Sequence, residues 1–134
     1  MDSSSALVPI DPALLALLRG SIGAQGKLQP FAREIMLIEC HVAGTTFRDL
    51  KDVEPGLQEG AVLPLRREPE NKHDRLAVMI LDEQGHHIGY IPQQKNEALA
   101  RLMDAGKLLF GVLVRKRWRG PWLYIESRIV MRDL

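Results

Sequence analysis

A single cysteine, Cys40, leaves the chain without an internal disulfide and fits a reducing compartment. No run of eighteen apolar residues occurs, so no membrane-spanning helix is expected. The opening "MDSSSALVPID" has neither the basic start nor the long apolar stretch of a secretion signal, and the expected location is cytoplasmic. Charge of one sign is also missing. The net charge of +1 argues neither for nor against a polyanionic partner. Internal repeats and low-complexity segments are absent. At 134 residues the chain suits one ordinary domain and is short for two.

The distribution of charge says more than its sum. Between Lys107 and Arg132 the bases are Lys107, Arg115, Lys116, Arg117, Arg119, Arg128 and Arg132, opposed only by Glu126. The acids collect earlier, in "RDLKDVEPGLQEG". A near-neutral chain with one basic end still offers a local positive face.

Boundary signals for a short helix stand at Asp11–Gly20: Asp11 to cap it, Pro12 at its first position and Gly20 at its exit. Leu14, Leu15, Leu17 and Leu18 make it apolar nearly all round, so it needs a surface to dock on, in its own domain, a second copy or another protein. "GSIGAQGKLQPF" reads as a linker, giving an appendage over 1–33 and a domain over 34–134.

Beyond Arg33 the pattern is mostly strand. "EIMLIECHV" is a continuous apolar run with β-branched members. "AVLPLR" is a second strand, in which Pro64 implies a sheet edge or a bulge, because proline cannot donate to a ladder. "LAVMIL" is apolar on both parities, so both of its faces should be covered. "DEQG" then turns the chain into "HHIGYI". A helix is expected over Gln93–Ala105, with Ala98, Leu99, Leu102 and Met103 as its buried stripe and Gly106 as its stop. "LLFGVLVRKRW" and "PWLYIESRIVM" form a last strand pair around "RGP". The fold class is mainly β: a small barrel-like sheet with one internal helix.

Three motif blocks in order, "HVAGTTF", "LRREPENKHDRLAVMI" and "GHHIGYIPQQKNEALARLMDAGK", resemble the HIRAN domain over about Ile35 to Arg132. The resemblance implies a modified OB-like or SH3-like β-barrel that captures the 3′-hydroxyl end of single-stranded DNA. HIRAN domains stand at the front of DNA translocases that remodel stalled replication forks, and also occur as small free-standing proteins. This chain carries no ATPase motif and resembles the free-standing kind. The implied function is a non-catalytic module tied to DNA repair or replication-fork processing, with no cofactor.

The loop "REPENKHDR", Arg67–Arg75, invites two readings. Pro69, Asn71 and Asp74 are turn residues, and Asn71 and Asp74 can hydrogen-bond their own backbone and stiffen the crossing. Alternatively, a carboxylate among bases suits a pocket that wants a terminal hydroxyl rather than another phosphate, since it accepts the hydroxyl proton. The resemblance assigns that contact to Asp74 and favours the second reading. It also places stacking residues at Phe47 and Arg48, after Gly44, and at His73. Thr46 stands where a basic residue is common in the family, which removes one phosphate contact. Tyr90, in "GYIP", borders the groove in the family and reads equally well as a half-buried strand tyrosine. Asn71 completes the expected binding set.

"KRWRGPW" interleaves bases with tryptophans. Arg117 and Trp118 are candidates for a phosphate and a base. In the plainer reading Trp122 and Tyr124 are core and the arginines solubilise a hairpin tip. Strand alternation sends Arg115, Arg117 and Arg119 to one face and Lys116 and Trp118 to the other. Cys40-His41 and His86-His87 fit no zinc-site spacing, so no metal is expected. Glu70-Asn71-Lys72 spells the E-x-K of metal-dependent nucleases, but Pro69 and the turn residues place it on a loop without the further acid such chemistry needs. The expectation is therefore a binding module and not an enzyme. The alternative is a protein-interaction module that has lost DNA binding and docks, or dimerises, through the leucine-rich helix.

Overall fold

The structure is a computed structural model that describes residues 33–133. The expected helix at Asp11–Gly20 and the linker after it lie outside the described residues. Residues 35–131 form one compact unit; Glu34 and Arg132, joined by a 2.6 Å ion pair, belong to the other.

Among the described residues six strands form one sheet. They are β1 (Arg33–His41), β2 (Val62–Arg67), β3 (Val78–Leu81), β4 (His87–Tyr90), β5 (Leu108–Arg119) and β6 (Trp122–Asp133). Among the described residues there is one α-helix, α1 (Glu97–Asp104), between β4 and β5. The sheet order is β1-β6-β5-β2-β3-β4, and the sheet curls into a half-barrel. The expected mainly β, OB-like architecture is what forms.

Alternation on β6 explains why it forms and which way it faces. Leu123, Ile125, Ser127 and Ile129 are buried, while Tyr124, Glu126 and Arg128 between them are only partly covered. On β3 the flanking Ala77 and then Val78, Ile80 and Leu81 are all buried, as expected for a strand covered on both faces. Leu57, Leu63, Ile88, Ile91, Leu113, Leu99 and Ala100 complete the core. Cys40 lies in it too, 3.8 Å from the Ser127 hydroxyl, and burial pushes its thiol pKa up.

Pro64 does not mark the edge of the sheet. β2 is an inner strand, but it changes partner at this residue: Val62, Leu63 and Pro64 pair with β5, and Leu65, Arg66 and Arg67 pair with β3. The proline sits at the end of one ladder and outside the next, so its missing N–H costs the β3 pairing nothing.

The helix is shorter than its sequence pattern. Gln93–Lys95 form a 3-10 turn, and α1 starts after Asn96. Its buried side is Leu99 and Ala100, with Leu102 and Met103 partly covered, whereas Ala98 is exposed. Lys107 N–H bonds to the Leu102 carbonyl and Gly106 N–H to the Met103 carbonyl. With Gly106 at φ 92° this is a Schellman ending, and glycine is what permits it.

The two ends of the sheet meet at one point. Just beyond β1, Ala43 pairs with Tyr90 of β4 through reciprocal backbone bonds of 2.8 and 2.9 Å. Gly89 makes this approach possible. A Cβ on Gly89 would lie 2.4 Å from Val42 Cγ1 and 2.5 Å from the Ala43 carbonyl oxygen. The "GY" of "GYIP" is thus a seam: glycine admits the neighbouring chain, and the tyrosine is placed at the join.

Candidate nucleic-acid interface

The loop Arg67–Arg75 is held by its own polar groups. Asn71 Oδ1 accepts the backbone N–H groups of His73 (2.8 Å) and Asp74 (3.0 Å). Asp74 Oδ1 accepts Leu76 N–H at 2.9 Å, and Asp74 Oδ2 accepts Asn96 Nδ2 at 2.7 Å. Asn96 is buried, so the start of α1 and the loop are tied together by a partly buried bond. Arg67, one of the bases that flank Asp74 in sequence, is spent on the loop itself. It donates to the carbonyls of Ala77 (2.7 Å) and Arg75 (2.9 Å) and forks onto the Asp104 carboxylate at 2.9 and 3.2 Å. Lys72, His73 and Arg75 remain exposed.

The loop is also bonded to the seam. Glu68 Oε1 accepts both Tyr90 Oη–H at 2.7 Å and Asn71 Nδ2 at 2.6 Å. Tyr90 stands edge-on to His87, with ring centroids 4.7 Å apart. His87 Nε2 in turn donates to the Gly89 carbonyl oxygen at 2.8 Å. The bonds from Asn71 and then Tyr90 hold the Glu68 carboxyl below its usual range. Burial and then the neighbouring Glu68 raise the Tyr90 phenol. Burial and then the Arg48 charge lower the His87 imidazole. The positive charge of Arg48 lowers all three groups, as a lesser cause than the bonds and burial.

Phe47 ends a 3-10 turn, Thr45–Phe47, that follows Gly44 at φ 81°. Only glycine takes that backbone conformation readily, and a Cβ there would also come within 3.9 Å of the Tyr90 ring. The turn leaves Phe47 89% exposed. The result is a rigid polar floor of Glu68, Asn71, Asp74 and Tyr90, with an uncovered aromatic ring and a guanidinium carried on the turn across the seam. Such a floor can meet a hydroxyl, the guanidinium a phosphate, and the ring a base.

Of the residues expected at the site, Asn71, Asp74 and Tyr90 are joined through hydrogen bonds, and Arg48 through its charge. His73 is next in the chain to Asp74, with its ring exposed. Arg117 and Trp118 are on the β5–β6 hairpin, and among the described residues none of their contacts reaches the cluster. Arg117 lies over the Tyr124 ring at 5.8 Å, and Trp118 is 41% exposed. The plainer reading of Trp122 as core fails, since it is 52% exposed at the hairpin tip. Sequence reasoning missed Glu68 and His87 as site residues. Glu68 carries a visible signal, an acid beside a turn proline, but its partner Tyr90 is twenty-two residues away. Among the described residues no group of three His, Cys, Asp or Glu side chains is placed to hold a metal ion, and no helix is long and apolar enough to cross a membrane.

Comparison with known proteins agrees with the fold. A Fanconi-associated nuclease 1 homolog from Arabidopsis thaliana is 34% identical over 73 residues, which is 54% of this chain and 8% of that protein. A crystal structure of a Lactobacillus plantarum protein superposes with a TM-score of 0.71 at 24% identity, covering 78% of this chain and all of the other. The HIRAN domain of human HLTF superposes with a TM-score of 0.58 at 18% identity, covering 75% and 79% of the two chains. The HLTF HIRAN domain in its DNA-bound conformation gives 0.56 at 19%, covering 76% and 79%. The HIRAN domain family matches residues 35–132, nearly the whole span from β1 to β6, and the chain belongs to that family.

Proposed function

We propose that this chain is a non-catalytic module that binds single-stranded DNA at its 3′-hydroxyl end. The observation that carries the reading is Phe47, 89% exposed on the turn that follows Gly44, together with a polar floor whose members are already bonded to one another. A ring in that position gains by stacking on any base, and a pre-ordered floor loses little entropy when the ligand arrives. The DNA-bound state of the HLTF HIRAN domain supports DNA as the ligand class. The match to a segment of a nuclease homolog is in keeping with a nucleic-acid ligand.

End selection falls to Asp74. Each of its oxygens already takes one protein donor. A carboxylate has about four lone-pair sites, so acceptor capacity remains for a hydroxyl. A 3′-phosphate would instead bring like charge against it. Phe47, Arg48, His73 and Tyr90 supply stacking and phosphate contacts around that point.

The test uses linear and circular single strands of one sequence and length at low salt, where phosphate contacts are strongest. An end-binding module binds the linear strand and leaves the circle largely free. Equal affinity for both would show a groove binder without end recognition, and no binding to either would remove nucleic acid from the account.

A further inference from the structure

The β5–β6 hairpin distributes its charges unevenly. Arg115 pairs with Glu126 at 3.0 Å, Lys116 with Glu54 at 2.7 Å and Arg128 with Glu39 at 3.5 Å. Arg117 and Arg119 have no carboxylate partner among the described residues. Both guanidiniums lie over the ring of Tyr124 instead, at 5.8 and 3.9 Å from its centroid. Two like charges gathered on one half-buried ring repel each other, so the arrangement is a poor device for stability. It is a good one for an anion, because the ring orients the guanidinium planes while their N–H groups stay available.

The position of this pair matters as much as its charge. Tyr124 stacks with His41 of β1 at 6.5 Å, with planes 14° apart. Val42 is buried, so strand alternation turns Ala43 to the same side as His41. Ala43 is paired directly with Tyr90. One outer face therefore leads from Tyr90 over Ala43 and His41 to Tyr124 and its two arginines. Two strand steps from Ala43 to His41 cover about 6.6 Å, and the stacked rings add 6.5 Å. The acids beside this path, Glu39 and Glu126, are both paired.

We propose that Arg117 and Arg119, held on Tyr124, form a second site that takes internal phosphodiesters of the strand whose 3′ end lies at Tyr90 and Asp74. The proposal rests on the single-strand reading above and extends it: the end pocket fixes the terminus, and the hairpin holds the strand as it leaves.

The experiment compares a dinucleotide with a strand of about ten nucleotides, within the span of one OB-type fold. Binding of both to the parent and to the double variant R117A/R119A is followed as salt is raised. Each lost single-strand phosphate contact lowers the slope of log affinity against log salt by about 0.7, so the variant should lose about 1.4 on the longer strand. Across a tenfold rise in salt the parent then loses about 25-fold more affinity than the variant. Dinucleotide binding and the preference for a 3′-hydroxyl should be unchanged, and R117K/R119K should restore the slope because counterion release needs charge alone. An unchanged slope in a folded R117A/R119A protein would overturn the second site. A parent that shows the slope difference but no preference for ends would retain the phosphate site and refute end capture.

Discussion

Replacing Gly89 by alanine should open the seam that positions Tyr90. Gly89 is not among the glycines with positive φ, so its backbone conformation would accept alanine. With space available, such a change stabilises by about 0.4–1 kcal/mol through the unfolded state. Here the new methyl would lie 2.4 Å from Val42 Cγ1 and 2.5 Å from the Ala43 carbonyl oxygen. Val42 is 3% exposed, and the carbonyl is half of the Ala43–Tyr90 bridge, so neither gives way easily. Overpacking of this kind costs about 1–3 kcal/mol, and parting the bridge adds about 0.5–1.5 kcal/mol for each of its hydrogen bonds. The clash outweighs the entropy gain, leaving a net loss of about 2 kcal/mol. For a domain of about 100 residues that lowers Tm by roughly 8–16 °C. Gly56→Ala is the control, since a Cβ there would meet nothing within 4 Å and its φ is ordinary; it should melt at or slightly above the parent. Thermal melting by circular dichroism measures both, and the Ala43 and Tyr90 amides should exchange faster in Gly89→Ala. A Gly89→Ala protein as stable as Gly56→Ala would refute the close approach and with it the account of how Tyr90 is placed.

Three further outcomes follow from the site. Phe47→Ala should change stability by no more than about 0.5 kcal/mol, because the ring packs on little, while weakening single-strand binding by about 1–3 kcal/mol; a large loss of Tm or an intact affinity would count against a stacking role. Glu68 has a lowered folded pKa, so its contribution is complete above its ordinary value of 4.5 and disappears as pH falls through the folded value. The Tm gap between parent and Glu68→Gln should accordingly be open near neutral pH and close in acid, and a gap that persists at about pH 2 would contradict the assigned bonds. Arg48→Ala should raise the His87 pKa toward, but not to, 6.5, because burial, the larger cause of its depression, stays; an NMR titration in which His87 does not move would place Arg48 away from the cluster.

Much of the fold can be read from local pattern because its causes are local. Alternation of Leu123, Ile125 and Ile129 with Tyr124 and Arg128 marks β6, and Gly106 marks the helix end. What escapes depends on distant pairs. Pro64 reads as an edge signal because sequence does not show that β2 exchanges β5 for β3 at that residue. The first turn of the expected helix is a 3-10 turn, and Asn96 at the start of the α-helix bonds to Asp74 twenty-two residues away, a pairing sequence does not show. At the site, Asn71, Asp74 and Tyr90 are legible through their motifs. Glu68 is not, since its two donors come from a turn and from another strand. Arg67 reads as a base flanking Asp74 because its true partner, Asp104, lies thirty-seven residues away.

The central claim, capture of a 3′-hydroxyl end by Asp74, is tested most directly by fluorescence-anisotropy titration of two oligonucleotides that differ only in a 3′-hydroxyl or 3′-phosphate. The parent should prefer the hydroxyl by roughly ten- to a hundredfold, the equivalent of one charge-assisted hydrogen bond of about 1.5–3 kcal/mol. Asp74→Ala leaves the buried Asn96 amide without its acceptor, so a lower Tm is expected; titrated well below that Tm, the variant should bind the two strands equally. Equal binding of both strands by the parent, or an undiminished preference in folded Asp74→Ala, would contradict the account.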